Sequence, residues 1–166
     1  QVIEDCCSTS YLDMLKFAAM NSENWNLKYP IGASFEDKHL KLDIIENEPV
    51  DEILAGMAMG LLIQIYESKT YDGIASKDLF YPEVSYCGIS MKDKHRLDNR
   101  HIDHEHDKDY IKILGLLNSN WNSKDGGLFL HGDEVIPMVP THFVVFDPRV
   151  PHCASEITTH EKRLGI

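Results

Sequence analysis

Val84-Ser85-Tyr86-Cys87-Gly88-Ile89-Ser90-Met91 marks the point where this 166-residue chain changes character. Its β-branched and aromatic residues read as a strand. Four further segments of the same kind follow, Tyr110 to Leu117, Gly127 to His131, Phe143 to Phe146 and His152 to Ile157. Asp125-Gly126-Gly127 and the Pro137 to Pro140 stretch are turn signals between them. Short strands at short spacings, punctuated by Gly, Pro, Asn and Asp, predict a sandwich or barrel.

Upstream the pattern is helical. Tyr11 to Met20 carries apolar residues at helical spacing. Asn24 to Ser34, with Pro30 and Gly32, reads as a loop. Asp51 to Tyr66 reads as a second helix, with Pro49 just before it and the acids Asp51 and Glu52 in its first turn. The Gly56-Met57-Ala58-Met59-Gly60 motif inside it fits close helix packing. The expected organisation is one mostly β domain over 1–166, with a helical support region over about 1–79 and a β core over about 80–166. Repeats, low-complexity tracts and linkers are not evident in the sequence.

The bulk numbers bound the function. Apolar residues make up 43% and charged residues 26%, an ordinary globular composition. The net charge of −11 disfavours a nucleic-acid partner, because phosphate binding needs Lys and Arg in excess. No apolar run approaches the roughly 20 residues a membrane helix requires. No basic-then-apolar leader follows Gln1, so neither a signal peptide nor a membrane partner is expected. Cys6, Cys7, Cys87 and Cys153 form no evident disulfide framework, which suggests reduced thiols and a cytoplasmic location.

The chemistry concentrates in Arg100-His101-Ile102-Asp103, Pro151-His152 and Arg163. On a strand, residues i and i+2 point to one face, so His101 and Asp103 can converge on one ion. His152 would join them from a neighbouring strand. Two imidazoles and one carboxylate, with open coordination positions, suit a non-haem Fe(II) oxygenase. His104 and His106 repeat the spacing and are rival ligands; a regular strand makes them a solvated polar rim. A zinc hydrolase built on the His101 to His106 patch is the competing enzyme class, although the His-Glu-x-x-His helix pattern is missing. Arg163, eleven residues beyond His152, carries a planar fork that pairs bidentately with a carboxylate. Read alone, it is better taken as a surface arginine in the charged tail His160-Glu161-Lys162-Arg163; read with the two histidines and the aspartate, it is not.

Taken in order, Arg100-His101-Ile102-Asp103, Leu117-Asn118 with Trp121, Gly126-Gly127-Leu128, Phe143-Val144-Val145-Phe146, His152 and Arg163 resemble the prolyl-4-hydroxylase-type Fe(II)/2-oxoglutarate dioxygenases. The resemblance covers roughly the last half of the chain. It implies a double-stranded β-helix, the cupin-like jelly roll, supported by N-terminal helices. It implies that His101, Asp103 and His152 are catalytic and bind iron, and that Arg163 pairs with the distal carboxylate of 2-oxoglutarate. The implied reaction hydroxylates a C–H bond, with a prolyl residue of a peptide or protein as the first candidate and a small molecule as the second. 2-Oxoglutarate is decarboxylated to succinate, O2 is consumed, and ascorbate is a candidate reductant. Retention of Asp103 favours hydroxylation over halogenation. A non-catalytic jelly-roll binding module is the remaining alternative.

Two positions depart from the family pattern. Leu116 stands where relatives carry a tyrosine that helps hold 2-oxoglutarate, and Tyr110, Lys112 and Tyr86 are candidates for that work. Gly165 stands where a Ser or Thr hydroxyl is common. Trp121 and Cys153 read as packing residues. Arg100 either orients substrate or pairs with an acid such as Asp98. The charged run Lys92 to Arg100 reads either as a solvated loop or as a lid.

Overall fold

The computed structural model describes residues 1–28, 39–71, 84–94, 96, 98–103 and 111–166. Its elements in chain order are β1 (Val2–Ile3), α1 (Thr9–Met20), β2 (Trp25–Lys28), β3 (His39–Glu46), β4 (Glu48–Pro49), α2 (Glu52–Glu67) and β5 (Tyr86–Lys92). There follow β6 (Lys112–Gly115), β7 (Phe129–His131), β8 (Glu134–Ile136), β9 (Phe143–Phe146), β10 (His152–Ala154) and β11 (Arg163–Gly165).

Both helices start where local chemistry satisfies their free N–H groups. Ser8 Oγ accepts from Tyr11 N at 3.2 Å, and Asp51 Oδ1 accepts from Leu54 N at 3.0 Å. Leu12, Leu15 and Ala19 of α1 and Leu54, Ala58, Leu61 and Ile65 of α2 are buried in one apolar cluster. Gly60 lets the helices approach: a Cβ there would lie 2.5 Å from Tyr11 Oη, which donates to Met57 O at 2.7 Å. Gly56 has nothing within 4 Å, so only one of the two glycines is used this way.

The strands form two layers, and every named pairing is antiparallel. Sheet order β1-β9-β6 meets sheet order β11-β5-β3-β2 through the bridge of Leu116 to Gly165, giving one broad layer. The second layer runs β10-β7-β8, and His101 bridges to His152 on its free side. The broad layer is apolar on both faces along β9. Phe143 and Val145 pack with the helices, whereas Val144 and Phe146 join Leu116, Trp121, Phe129, Met138 and Ile157 in a second cluster that spans the two layers. This is the jelly roll, with two helices covering its outer face.

Several expectations need correction. The region 1–79 is not only helical: it supplies β1 to the broad layer and β3 to its middle, beside β5. Leu40, Leu42 and Ile44 alternate with Lys41 and Asp43 in β3, and a register shift between Asp43 and Ile45 breaks that alternation. The expected loop from Asn24 begins instead with β2, which β3 recruits by pairing Trp25 with Leu42 and Lys28 with His39. Gly127 to His131 and His152 to Ile157 shorten to β7 and β10. Tyr110, His104 and His106 lie outside the described residues. No described helix is long and apolar enough to cross a membrane.

Candidate metal centre

His101 does not sit in a regular strand. It forms an isolated bridge with His152: His101 N donates to His152 O at 3.0 Å, and His152 N donates to His101 O at 2.8 Å. Reciprocal bonding sets the two histidines opposite each other, with ring centroids 4.6 Å apart. Asp103, two residues on, is fixed by its N–H donating to Pro148 O at 3.0 Å. The expected i, i+2 convergence is therefore realised by a bridge and a loop anchor rather than by a continuous strand.

The three side chains meet. His152 Nε2 lies 3.2 Å from Asp103 Oδ2, and His101 Nε2 lies 3.6 Å from Asp103 Oδ1. One ligand atom from each falls within 4.8 Å of the others, a cluster that can hold one divalent ion. Each histidine uses its other ring nitrogen on the backbone. His101 Nδ1 is 2.7 Å from Asn99 O, and His152 Nδ1 is 2.8 Å from Val150 O. A carbonyl only accepts, so Nδ1 carries the proton and Nε2 is the atom available to a metal. The donor set is mixed N and O, which suits iron among other transition metals.

The surroundings differ on the two sides. The His152 side chain is 6% exposed, and Phe129 and Phe146 pack against its ring at centroid distances of 5.8 and 5.0 Å. The His101 side chain is 49% exposed. The centre thus has an apolar wall behind and an open approach in front. Burial pushes the Asp103 carboxyl up, but its contacts with His152 and Lys112 outweigh this and hold it well below the usual carboxylate range. It remains an anionic ligand throughout the neutral range.

Lys112 and Tyr86, the two described candidates for co-substrate contact, have different fates. Lys112 Nζ lies 2.5 Å from Asp103 Oδ2, at the metal cluster. Tyr86 does not reach the cluster: it pairs with Glu46 at the other end of β5 from Lys92, and its hydroxyl donates to Asp43 Oδ1 at 2.9 Å. Arg100 donates to Gly132 O at 2.5 Å. Asp98 is instead the acid for Lys92 and Arg96, so the run read as either a solvated loop or a lid contains a partly buried ion-pair group.

Arg163 is 2% exposed on β11. Among the described residues its Nε and Nη2 have no hydrogen-bond partner. Burial lowers its pKa to about 10, with Asp98 acting in the opposite direction. A buried guanidinium without an anion is costly, by several kcal/mol. Gly127, at φ 64°, makes room for this side chain, since a Cβ there would lie 2.8 Å from Arg163 Cδ and Nε. Unpartnered donors on a planar fork fit a carboxylate ligand.

In the sequence, Asn118 stands in the Leu117-Asn118 motif without a role, and Lys92 stands only at the start of a charged run. Asn118 is fully buried and clamps the start of β11: its Nδ2 donates to Lys162 O at 2.9 Å, and its Oδ1 accepts from Leu164 N at 2.7 Å. Lys92 is the register partner of Arg163. The alternation of β5 could have revealed Lys92, because Ile89 and Met91 turn to the helices and leave Ser90 and Lys92 on the inner face.

Comparison with known proteins separates sequence from fold. No protein-family model matches the chain, and no curated protein matches it in sequence. Solved structures do match. A Pseudomonas putida prolyl-4-hydroxylase superposes with a TM-score of 0.66 at 19% identity, covering 99% of this chain and 88% of that one. The viral collagen prolyl hydroxylase of Paramecium bursaria Chlorella virus-1, in its 2OG complex, gives 0.65 at 11% identity, covering 99% and 91%. A Trichoplax adhaerens prolyl hydroxylase, in complex with a hypoxia inducible factor peptide, gives 0.62 at 17% identity, covering 99% and 80%. At these identities the likeness is one of fold.

Proposed function

We propose that the chain is an Fe(II)/2-oxoglutarate-dependent dioxygenase of the prolyl-4-hydroxylase type. The observation that carries this reading is the pairing of His101, Asp103 and His152 in one cluster with a buried Arg163 whose Nε and Nη2 have no hydrogen-bond partner among the described residues. The fold likeness to prolyl hydroxylases supports it.

Iron with 2-oxoglutarate and O2 supplies the oxidising power for C–H hydroxylation, 2-oxoglutarate leaving as succinate and carbon dioxide. The residues of the chain supply position and shelter. His101 and His152 present Nε2, held there by their Nδ1 bonds to Asn99 and Val150. Asp103 supplies the carboxylate, and its contacts with His152 and Lys112 keep it anionic. Arg163 receives the distal carboxylate of 2-oxoglutarate. Phe129 and Phe146 keep water from the His152 side. Substrate approaches past His101, the exposed member of the cluster.

We assign the substrate as a prolyl residue in a peptide or protein, on the likeness to a hydroxylase bound to a peptide. The four cysteines are free, which supports a reducing, cytoplasmic setting. The deciding experiment supplies ferrous iron and 2-oxoglutarate under O2, follows succinate, and then screens proline-containing peptides for a mass gain of one oxygen. Succinate formation that vanishes without iron is expected. Hydrolysis supported by zinc, or metal binding without any turnover, would replace this reading with the hydrolase or the binding module.

A further inference from the structure

Lys112 stands on the inner face of the broad layer. Its neighbours Ile111 and Ile113 pack with the helices, and Leu114 packs with the inner cluster. The alternation of β6 turns Lys112 inward with Leu114, and the register sets it opposite Phe146. Phe146 lies against the His152 ring at a centroid distance of 5.0 Å. The strand itself therefore delivers an ammonium to the metal cluster. Asp147, the acid next to Phe146, is held by Arg149, whose Nη2 lies 2.8 Å from its Oδ2. Lys112 goes instead to Asp103, an acid that is also a candidate metal ligand.

The two carboxylate oxygens of Asp103 have different surroundings. Oδ2 lies 2.5 Å from Lys112 Nζ and 3.2 Å from His152 Nε2, whereas Oδ1 faces His101 Nε2 at 3.6 Å. Asp103 has its own anchor besides, because its N–H donates to Pro148 O at 3.0 Å. Lys112 is thus not the group that fixes its position. A cation bonded to a ligand carboxylate draws charge away from the metal, and two like charges this close repel each other. The usual partner of a metal ligand acts in the other direction, since it orients the ligand and strengthens binding.

We propose that Lys112 is an internal cation that competes with the metal for Asp103: it holds Oδ2, limits the carboxylate to Oδ1 as a ligand, and so keeps metal binding weak enough for exchange. The inference rests on the metal-centre reading above. Lys112 is a positioning residue, because it acts through Asp103. One oxygen from Asp103 in place of two also leaves a further coordination position open to other ligands.

The test is titration of the full chain with Mn(II), followed by the electron paramagnetic resonance signal of the free ion. Lys112→Met should bind Mn(II) about 10-fold tighter than the unaltered protein, and Lys112→Gln should do likewise. The Lys112 side chain is 41% exposed, so neither change opens the core. Lys112→Arg keeps the charge and should stay within about 3-fold. A side chain that merely orients Asp103 gives the opposite result on removal, a loss of roughly 10- to 100-fold. Infrared difference spectra between metal-loaded and metal-free protein, prepared with isotope-labelled aspartate, give a second readout. The antisymmetric and symmetric carboxylate stretches should lie far apart in the unaltered protein, as for one ligating oxygen, and draw together in Lys112→Met, as for two. Unchanged or weaker Mn(II) binding in the two neutral variants would overturn the proposal, as would equal tightening in Lys112→Arg. Failure of the unaltered protein to bind Mn(II) or Fe(II) would overturn the metal-centre reading itself.

Discussion

Asp103 links the parts of the centre, since it touches both histidines and Lys112. Asp103→Ala is expected to abolish metal binding and leave Lys112 and the two imidazoles facing each other; equilibrium dialysis with Fe(II) or Mn(II) checks it, and unchanged uptake would sink the ligand assignment. Arg163→Met should raise the 2-oxoglutarate requirement ~100-fold, the scale of a lost charge-assisted pair, while metal stays bound. A third prediction concerns His39, whose buried Nδ1 lacks a partner among the described residues. Burial, then Lys92 and Arg96, lower its pKa from 6.5 to about 4. The unfolded chain therefore takes up a proton between these values while the folded chain does not. Stability should therefore fall as pH drops from 6.5 to 4. Urea unfolding of His39→Gln should show a shallower slope in that window; an unchanged slope would remove His39 as its source.

Elements decide which of these side chains can meet. β11 is only three residues long, yet it is paired with β5, bridged at Gly165 to Leu116, and clamped by Asn118. Asn118→Ala would leave Leu164 N–H buried without its acceptor, at a cost of about 1–3 kcal/mol, and should loosen Arg163 with it. Paired melting and 2-oxoglutarate titrations test this: lost stability with full co-substrate affinity would show that the clamp does not serve Arg163. Gly127 works from the opposite layer. Gly127→Ala adds a Cβ to a φ of 64° and crowds Arg163 Cδ and Nε, so it should depress co-substrate affinity more than metal affinity.

Across the whole molecule the broad layer divides the labour. Its outer face and the helices hold the larger apolar cluster, whereas its inner face carries a smaller apolar cluster toward β6–β9 and polar groups toward β11 and β5. Leu15→Ala, in the helical layer, should cost about 2–5 kcal/mol without changing affinity for metal at temperatures where the variant is folded. If the proposed function holds, metal and 2-oxoglutarate bind the folded chain alone, and saturating both should raise Tm. Thermal melts should show that gain in the unaltered protein and in Leu15→Ala, and not in Asp103→Ala.

Local pattern was enough for the elements whose signals are themselves local. Tyr11 to Met20 and Asp51 to Tyr66 have helical periodicity and capping residues, and the apolar runs of β5 and β9 are bounded by turn formers. The three side chains that meet, His101, Asp103 and His152, could be picked from the sequence too, because two histidines and an aspartate form a short list of side-chain types. β3 was not legible as the middle of a sheet: its alternation breaks at Asp43 and Ile45, and its pairing with β5 joins residues about 40 to 50 apart in sequence. Tyr86 and Lys92 lie on the same strand, but only the register of β11 beside β5 places Lys92 opposite Arg163 and leaves Tyr86 on Asp43. Residue types and short-range periodicity are properties of the chain and can be read along it. Which inward groups face one another depends on long-range hydrogen-bond register, where a shift of one residue turns every side chain to the other face, and that choice was made only by packing the layers together.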